Sequence, residues 1–263
     1  MYPDDEKPWH GMQLIARFSL SKRKEILSRI PKGGMVLDVG CGDMRKTHDY
    51  LYDGRRDLQI IGVEKYDDAT IYGESRLPPE IAATGAFKRL QCDIENERLP
   101  FSDATFDAAY CSHVLEHVRM PGPVIREVYR VLKPGGFLYV EVPGPRSTIM
   151  PPNSWFARQT VHYPLNHWND STHVLPPFEK VRLREMLASA GFDVEVMGFH
   201  REFGALAIPL YALIFIAGIV PWPSRSFRST LLGAGWWNLV GWPLFSISRK
   251  PERELLTSPL ARA

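Results

Sequence analysis

Short apolar runs recur along the chain, each cut off by glycine, proline or charge. Met35-Val36-Leu37-Asp38-Val39 ends in Gly40-Cys41-Gly42, Leu58-Gln59-Ile60-Ile61-Gly62-Val63 ends in Glu64, and Phe87-Lys88-Arg89-Leu90-Gln91 runs into Cys92-Asp93. Ala108 to Cys111, Phe137 to Val142, Val194 to Phe199 and Leu244 to Arg249 repeat the pattern. Runs of four to eight residues bounded this way read as buried strands. Between them lie segments of helical period: 12–30, Val114 to Val118, Arg126 to Leu132, and Val181 to Ala190. The first five strands alternating with helical segments, without tandem repeats, predict an α/β fold, a doubly wound and mainly parallel sheet. Helix 12–30 sets Leu14, Ile15, Phe18, Ile26, Leu27 and Ile30 among Arg17, Lys22, Arg23, Lys24 and Arg29, and is expected to lie as a cap over the ligand pocket or on a membrane surface.

Composition narrows this picture. At 263 residues with 44% hydrophobic and 24% charged residues, the chain predicts one large domain with embellishments. Its 32 basic and 30 acidic residues leave a net charge of +2, and no Lys/Arg-dense arm points to nucleic acid. Cys41, Cys92 and Cys111 cannot all pair and read as reduced thiols of a cytoplasmic protein. The acidic start Met1-Tyr2-Pro3-Asp4-Asp5-Glu6 is unlike a secretory signal.

The chemistry begins at the first glycine turn. A sharp turn that brings backbone against a ligand needs residues without a Cβ, and an acidic residue about 20 positions further on is placed for the hydroxyls of a ribose. Glu64 stands 22 residues after Gly42. Here the chain resembles the class I S-adenosylmethionine (SAM)-dependent methyltransferases, whose first motif appears as Val36 to Gly42. Leu99-Pro100-Phe101-Ser102-Asp103-Ala104-Thr105-Phe106-Asp107 and Leu132-Lys133-Pro134-Gly135-Gly136 resemble two further blocks of that family. The third glycine common in the family is replaced by Met44. A nicotinamide-dinucleotide site would need a last glycine where Arg45 stands.

The resemblance implies a seven-stranded sheet and SAM as cofactor. It implies that Asp38, Gly40, Cys41, Gly42, Glu64, Asp93 and Ile94 bind that cofactor, with Asp93 at the adenine amino group, Ile94 on the ring, and Ser112 and His113 near the methionine end. The core would cover 31–200, preceded by the helical cap 1–30 and followed by an apolar helical insertion with the last strand, 201–250, and a tail, 251–263. Within the core, 143–177 is long, proline-rich and full of polar aromatics (Trp155, His162, Tyr163, His167, Trp168, His173), which marks a substrate lid. Its end, Asp170 to Phe178, followed by Gly191-Phe192, resembles a block of small-molecule methyltransferases, including ones acting on sugars and cell-surface glycans.

Methyl transfer from a sulfonium is an in-line displacement that needs positioning, worth about 10⁵–10⁸ M in effective molarity, and a group to take the acceptor's proton, worth about 10²–10⁴-fold. His113, just after the fourth strand, is the first candidate base; His173 and His167 in the lid follow. His117 would share a helical face with His113. Taken singly, each histidine reads as structural before it reads as catalytic. The spacing of His162, His167, Asp170 and His173 matches no metal-ligand pattern, so no metal is expected.

Residues 203–224 and 229–248 carry no charge. Three readings stand: a hydrophobic helix on the sheet, a surface or re-entrant membrane contact through 203–248 framed by Trp222, Trp236, Trp237 and Trp242, and two spanning helices. The sequence therefore predicts a SAM-dependent methyltransferase (EC 2.1.1.-), cytoplasmic with a peripheral membrane contact among the readings. It would act by O-methylation on a small polar or lipid-linked, including glycan, acceptor. Its rivals are a SAM-binding, membrane-associated partner without catalysis and a nicotinamide oxidoreductase on a similar fold. Nucleic acid is not expected, because no Asn-Pro-Pro-Tyr-type motif follows the fourth strand.

Overall fold

The structure, a computed structural model, describes residues 22–42, 44, 47–48, 51, 55–66, 83–149, 167–201, 205–221, 223 and 225–252. Seven strands form one sheet: β1 (Met35–Val39), β2 (Gln59–Glu64), β3 (Phe87–Gln91), β4 (Phe106–Ser112), β5 (Leu132–Pro143), β6 (Asp193–Phe199) and β7 (Pro243–Arg249). Their order is β3-β2-β1-β4-β5-β7-β6, with β1 to β5 parallel and β7 antiparallel to both its neighbours. The order reverses between β1 and β4, which is where an open α/β sheet presents its ligand crevice.

Alternation along the strands builds two cores. Leu37, Val39, Ala109, Cys111, Leu138 and Val140 point into one layer. It is covered by α2 (Pro121–Val131), through Val124, Ile125, Val128 and Val131, and by α3 (Lys180–Ser189), through Leu183 and Leu187. Val36, Ile60, Ala108, Tyr110 and Tyr139 point into the other, closed by Ile26, Leu27 and Ile30 of the turn that continues α1 (Lys22–Glu25). Burial on both faces is why the central strands read as continuous apolar runs. The described part of the expected N-terminal cap, 22–30, is thus part of the core.

Three elements depart from the sequence reading. The helix expected at Val114 is only a 3₁₀ turn, Leu115–His117, and α2 begins at Pro121, where a proline suits the first helical position. The fifth strand starts at Leu132 rather than Phe137. Leu132 pairs with Phe106 across a register shift, while Asp107 ties the region together by accepting from the Met35 amide (2.8 Å) and from Lys133 Nζ (2.8 Å).

The third departure is the apolar section, which forms two helices, α4 (Ile208–Ile219) and α5 (Arg225–Val240). Pro209 lies in the first turn of α4 and so does not break it. At 1.5 Å per residue, 12 and 16 residues fall short of a bilayer core of about 30 Å, and no helix among the described residues is long and apolar enough to cross a membrane. Two spanning helices are therefore not what this section forms. Nor does it merge with the sheet's cores: Leu232 centres a separate cluster with Phe215, Trp236, Trp237, Val240 and Trp242. Gly218 against Leu232 and Gly235 against Phe215 permit the close crossing of the two helices.

Candidate cofactor and acceptor site

β1 ends in a turn whose backbone is pinned by its neighbour strand. The amides of Gly40 and Cys41 both donate to the Val63 carbonyl, at 2.9 and 3.1 Å. Gly40 has φ +67°, and a Cβ there would meet Val114 Cγ2 at 2.4 Å, so only glycine fits against the 3₁₀ turn. The place of the family's third glycine keeps the left-handed conformation (Met44, φ +57°) while its side chain is buried in the core. Cys41 contributes backbone to the turn; its sulfur packs over Gly62, and burial pushes its thiol pKa well up, as it does for Cys111. All three cysteines are free and buried.

The acidic residues expected at the cofactor converge on this rim. Glu64, at the end of β2, accepts from the Gly42 amide (3.0 Å) and the Lys65 amide (2.8 Å), which fixes its carboxylate beside the glycine turn. Asp93 accepts from the Glu95 amide (3.2 Å) and Asn96 (2.9 Å) and pairs with Lys65 (3.0 Å). Burial opposes its charge, but the Asn96 and Lys65 contacts prevail and hold its pKa below the ordinary value. Ile94 packs against the first core. Asp38 is buried in β1 and takes the Thr47 hydroxyl, so it positions the segment after the turn. Ser112, at the end of β4, has a buried hydroxyl with no partner among the described residues. A glycine cradle, a carboxylate fixed beside it and an unmatched hydroxyl on one rim fit an adenosine-bearing sulfonium.

His113 also has φ +57°, so the chain turns there and His113 and His117 take different partners rather than sharing a helical face. His113 Nδ1 lies 3.2 Å from Glu116 Oε1 and Nε2 lies 3.1 Å from Glu141 Oε1. Both nitrogens face carboxylates, so both N–H groups donate and the ring is held as imidazolium. Burial opposes that charge, but the hydrogen bonds of Glu116 and Glu141 outweigh it and raise the pKa. Both ring nitrogens of His113 are thus engaged by carboxylates.

Glu141 is the hub. Fully buried in β5, it is bound by Arg23 (Nε 3.2 Å, with a second contact from Nη2) and by the Tyr139 hydroxyl (2.5 Å), with His200 Nδ1 at 3.6 Å. Its own burial works against ionisation, yet the Arg23, His200 and His113 charges hold its pKa well below the carboxylate range. A charged residue inside the apolar run Phe137 to Val142 was the one signal that could have found it.

The lid histidines come together on the other side of Glu116. The Val174 and Leu175 amides donate to the Glu116 carbonyl (2.9 and 3.2 Å), which docks the lid's end on the 3₁₀ turn. The His173 ring then stacks on His167 (4.3 Å) and lies 4.7 Å from His117. His167 donates Nε2–H to the Leu175 carbonyl (2.8 Å); burial, more than any charge, lowers its pKa. Trp155, His162 and Tyr163 lie outside the described residues. Trp242, where α5 joins β7, sets its ring 5.2 Å from His113.

This glycine turn, acidic β2 end and strand order define a Rossmann-like SAM-binding fold. The methyltransferase domain family model matches residues 37–140. The ubiquinone/menaquinone biosynthesis C-methyltransferase of Pseudomonas fluorescens is 30% identical over 180 residues, covering 64% of this chain and 68% of the relative. A demethylmenaquinone methyltransferase of Listeria monocytogenes is 32% identical over 196 residues, covering 65% and 76%. A Mycolicibacterium smegmatis relative, named as SAM-dependent, is 33% identical over 167 residues; the chain spans only 53% of that protein's length and 62% of its own is covered. The chain belongs to the class I SAM-dependent methyltransferases, and SAM is its cofactor.

Among solved structures, Haemonchus contortus phosphoethanolamine N-methyltransferase 2 in complex with SAM superposes with TM-score 0.55 at 16% identity, over 88% of this chain and 52% of that one. The [4+2]-cyclase SpnF does so with TM-score 0.53 at 23% identity, over 92% and 81%. At such identities the likeness is one of fold, and the second name shows that this fold alone does not decide the reaction.

Proposed function

We propose that the protein methylates a hydroxyl on a small acceptor whose polar head enters between the lid and the rim of β4 and β5 and whose apolar part lies along α4 and α5. The observation that carries this reading is Trp242, which joins the two regions: its ring meets His113 on one side and Trp237 (5.9 Å) on the other. From there α4 and the residues flanking it expose Leu206, Leu210, Leu213, Ile216 and Val220, spaced three or four apart as one stripe. Apolar side chains exposed as a contiguous stripe, rather than singly, mark a docking face. A peripheral contact with a lipid surface would bring a lipid-linked acceptor to the rim. Relatives named for ubiquinone and menaquinone biosynthesis favour such an acceptor.

In this reading SAM supplies an activated methyl group. Gly40, Gly42, Glu64, Asp93, Ile94 and Ser112 hold it, Arg23 and Glu141 fix the imidazolium of His113 at the methionine end, and 143–177 is the lid that excludes water. The acceptor's proton leaves on the side of the His117–His167–His173 cluster, away from His113. A second reading, SAM binding without transfer, is favoured by the fully paired state of His113.

The test is S-adenosylhomocysteine release from full-length protein with phenolic and quinol acceptors, free or in vesicles. Turnover enhanced by vesicles, and cosedimentation lost in Leu210→Glu/Leu213→Glu with little change in unfolding temperature, is expected. Tight SAM binding with no turnover on any acceptor supports the second reading, and vesicle binding unaffected by the double substitution removes the lipid face.

A further inference from the structure

The histidine cluster holds a combination that methyl transfer from SAM does not itself require. Glu116 is fully buried, its Oε1 is taken by His113, and its Oε2 has no partner among the described residues. A buried carboxylate oxygen without a donor is the kind of group native structures leave only where something else binds. Ligand atoms of Glu116, His117 and His173 all lie within 4.8 Å of one another.

The hydrogen bonds of the two rings fix which nitrogen each has to offer. His173 Nδ1 is 2.7 Å from the His167 carbonyl, which can only accept, so Nδ1 carries the proton and Nε2 is bare in the neutral ring. His117 Nδ1 is 3.2 Å from the Thr172 carbonyl and 3.0 Å from the Thr172 hydroxyl, whose own proton goes to Asp170, so here too Nδ1–H donates and Nε2 is bare. Rings anchored through one N–H to a carbonyl, with the second nitrogen free, are what metal sites use to orient their ligands. The remaining charged neighbour is Asp170, whose Oδ2 is 3.7 Å from His173 Nε2.

We propose that Glu116, His117 and His173 form a divalent transition-metal site of the zinc or cobalt type. Two imidazoles and one carboxylate suit such ions and not calcium or magnesium, which prefer all-oxygen shells. Three protein ligands leave a coordination position open, which takes water or a hydroxyl oxygen. Under the O-methylation reading, on which this consequence rests, that hydroxyl is the acceptor's: bound to the cation its proton is acidified and leaves to solvent, so no histidine need serve as base. The site also explains why the lid docks where it does, because closing His173 onto Glu116 and His117 completes the ligand set. Sequence spacing could not show this, since Glu116–His117 and His173 are brought together only by the lid's return to the 3₁₀ turn.

The experiment uses tag-free, chelator-treated full chain, titrated with Zn²⁺ and followed by elemental analysis, and with Co²⁺ followed by visible absorption. One equivalent per chain is expected, with a tetrahedral or five-coordinate cobalt spectrum. Glu116→Gln and His173→Ala should each weaken affinity at least about 10–100-fold, the loss seen even for groups one shell further out. SAM affinity and unfolding temperature are measured beside them; if Glu116→Gln fails to fold, the loop change His173→Ala decides. Absence of stoichiometric binding, or affinity unchanged in His173→Ala, overturns the site. An unsubstituted chain that takes up no metal while SAM still binds and turns over refutes this inference alone, whereas metal bound with no turnover on any acceptor refutes the O-methylation reading alone.

Discussion

Replacing Arg23 by Gln tests whether the buried carboxylate of β5 organises the acceptor side. Arg23 is nearly buried (13% side-chain exposure) and Glu141 fully so, which means that Glu141 cannot reach water when the guanidinium is gone. Breaking a buried ion pair from one side costs about 3–5 kcal/mol. His113 and His200 remain beside Glu141 and offset part of the loss, so about 3 kcal/mol is expected. With an unfolding entropy of about 2.1 cal/mol/K per residue, the 263 residues give about 0.55 kcal/mol/K, and the substitution lowers the melting temperature by about 5 °C. Glu141→Gln costs less, because Arg23 can turn outward, and the double variant recovers part of the Arg23→Gln loss. Calorimetric unfolding of the four proteins gives the coupling directly. An Arg23→Gln penalty below about 1 kcal/mol, or additive effects in the double variant, would refute the idea that this pair is what holds the rim.

Gly40→Ala should abolish measurable SAM binding and lower stability by about 1–3 kcal/mol, since its Cβ enters Val114 at 2.4 Å and its φ of +67° disfavours any side chain; isothermal titration checks both the affinity and, by a parallel melt, the fold. Glu64→Gln should weaken SAM by at least several-fold while the melting temperature moves little, and an unchanged affinity would remove Glu64 from the ribose position. The pH dependence of stability follows from two opposite shifts. Glu141, with its folded pKa depressed, stabilises above its ordinary value of 4.5 and loses this as pH falls through the folded value, whereas His113, raised from 6.5, stabilises below 6.5 and loses this as pH rises through its own. His167, lowered from 6.5 by burial, takes some stability away as pH falls below 6.5. Denaturant melts should therefore show a broad maximum between about pH 4.5 and 6.5 from the Glu141–His113 pair, flattened by His167; in Glu141→Gln the acid limb should shrink.

The sheet was legible in the chain because its central strands are buried on two faces and must be apolar nearly throughout, and because the strand ends are cut by residues with local reasons to turn. Gly40, Gly42, Glu64 and the Leu99 to Asp107 block stand in patterns only a few residues long, so family and cofactor could be read without coordinates. Local pattern could not decide what depends on distant partners. Val114 to His117 carries helical periodicity, yet Gly40 packs against Val114 and only one 3₁₀ turn forms there. His113 looked like a base because its position is right; only the fold reveals that Glu116 and Glu141 occupy both its nitrogens. The charge-free stretches 203–224 and 229–248 satisfied a hydropathy argument for membrane or sheet packing. Gly218 and Gly235 turn it into a hairpin with its own core and an outward stripe, a choice made by helix crossing rather than by composition. Residue type and spacing determined the sheet and its cofactor rim, since each strand and glycine turn is marked by residues adjacent in the chain. The tertiary structure decided the pairing of His113 with Glu141, the meeting of Glu116 with His173, and the contact of Trp242 with His113, because each joins groups tens to more than a hundred residues apart.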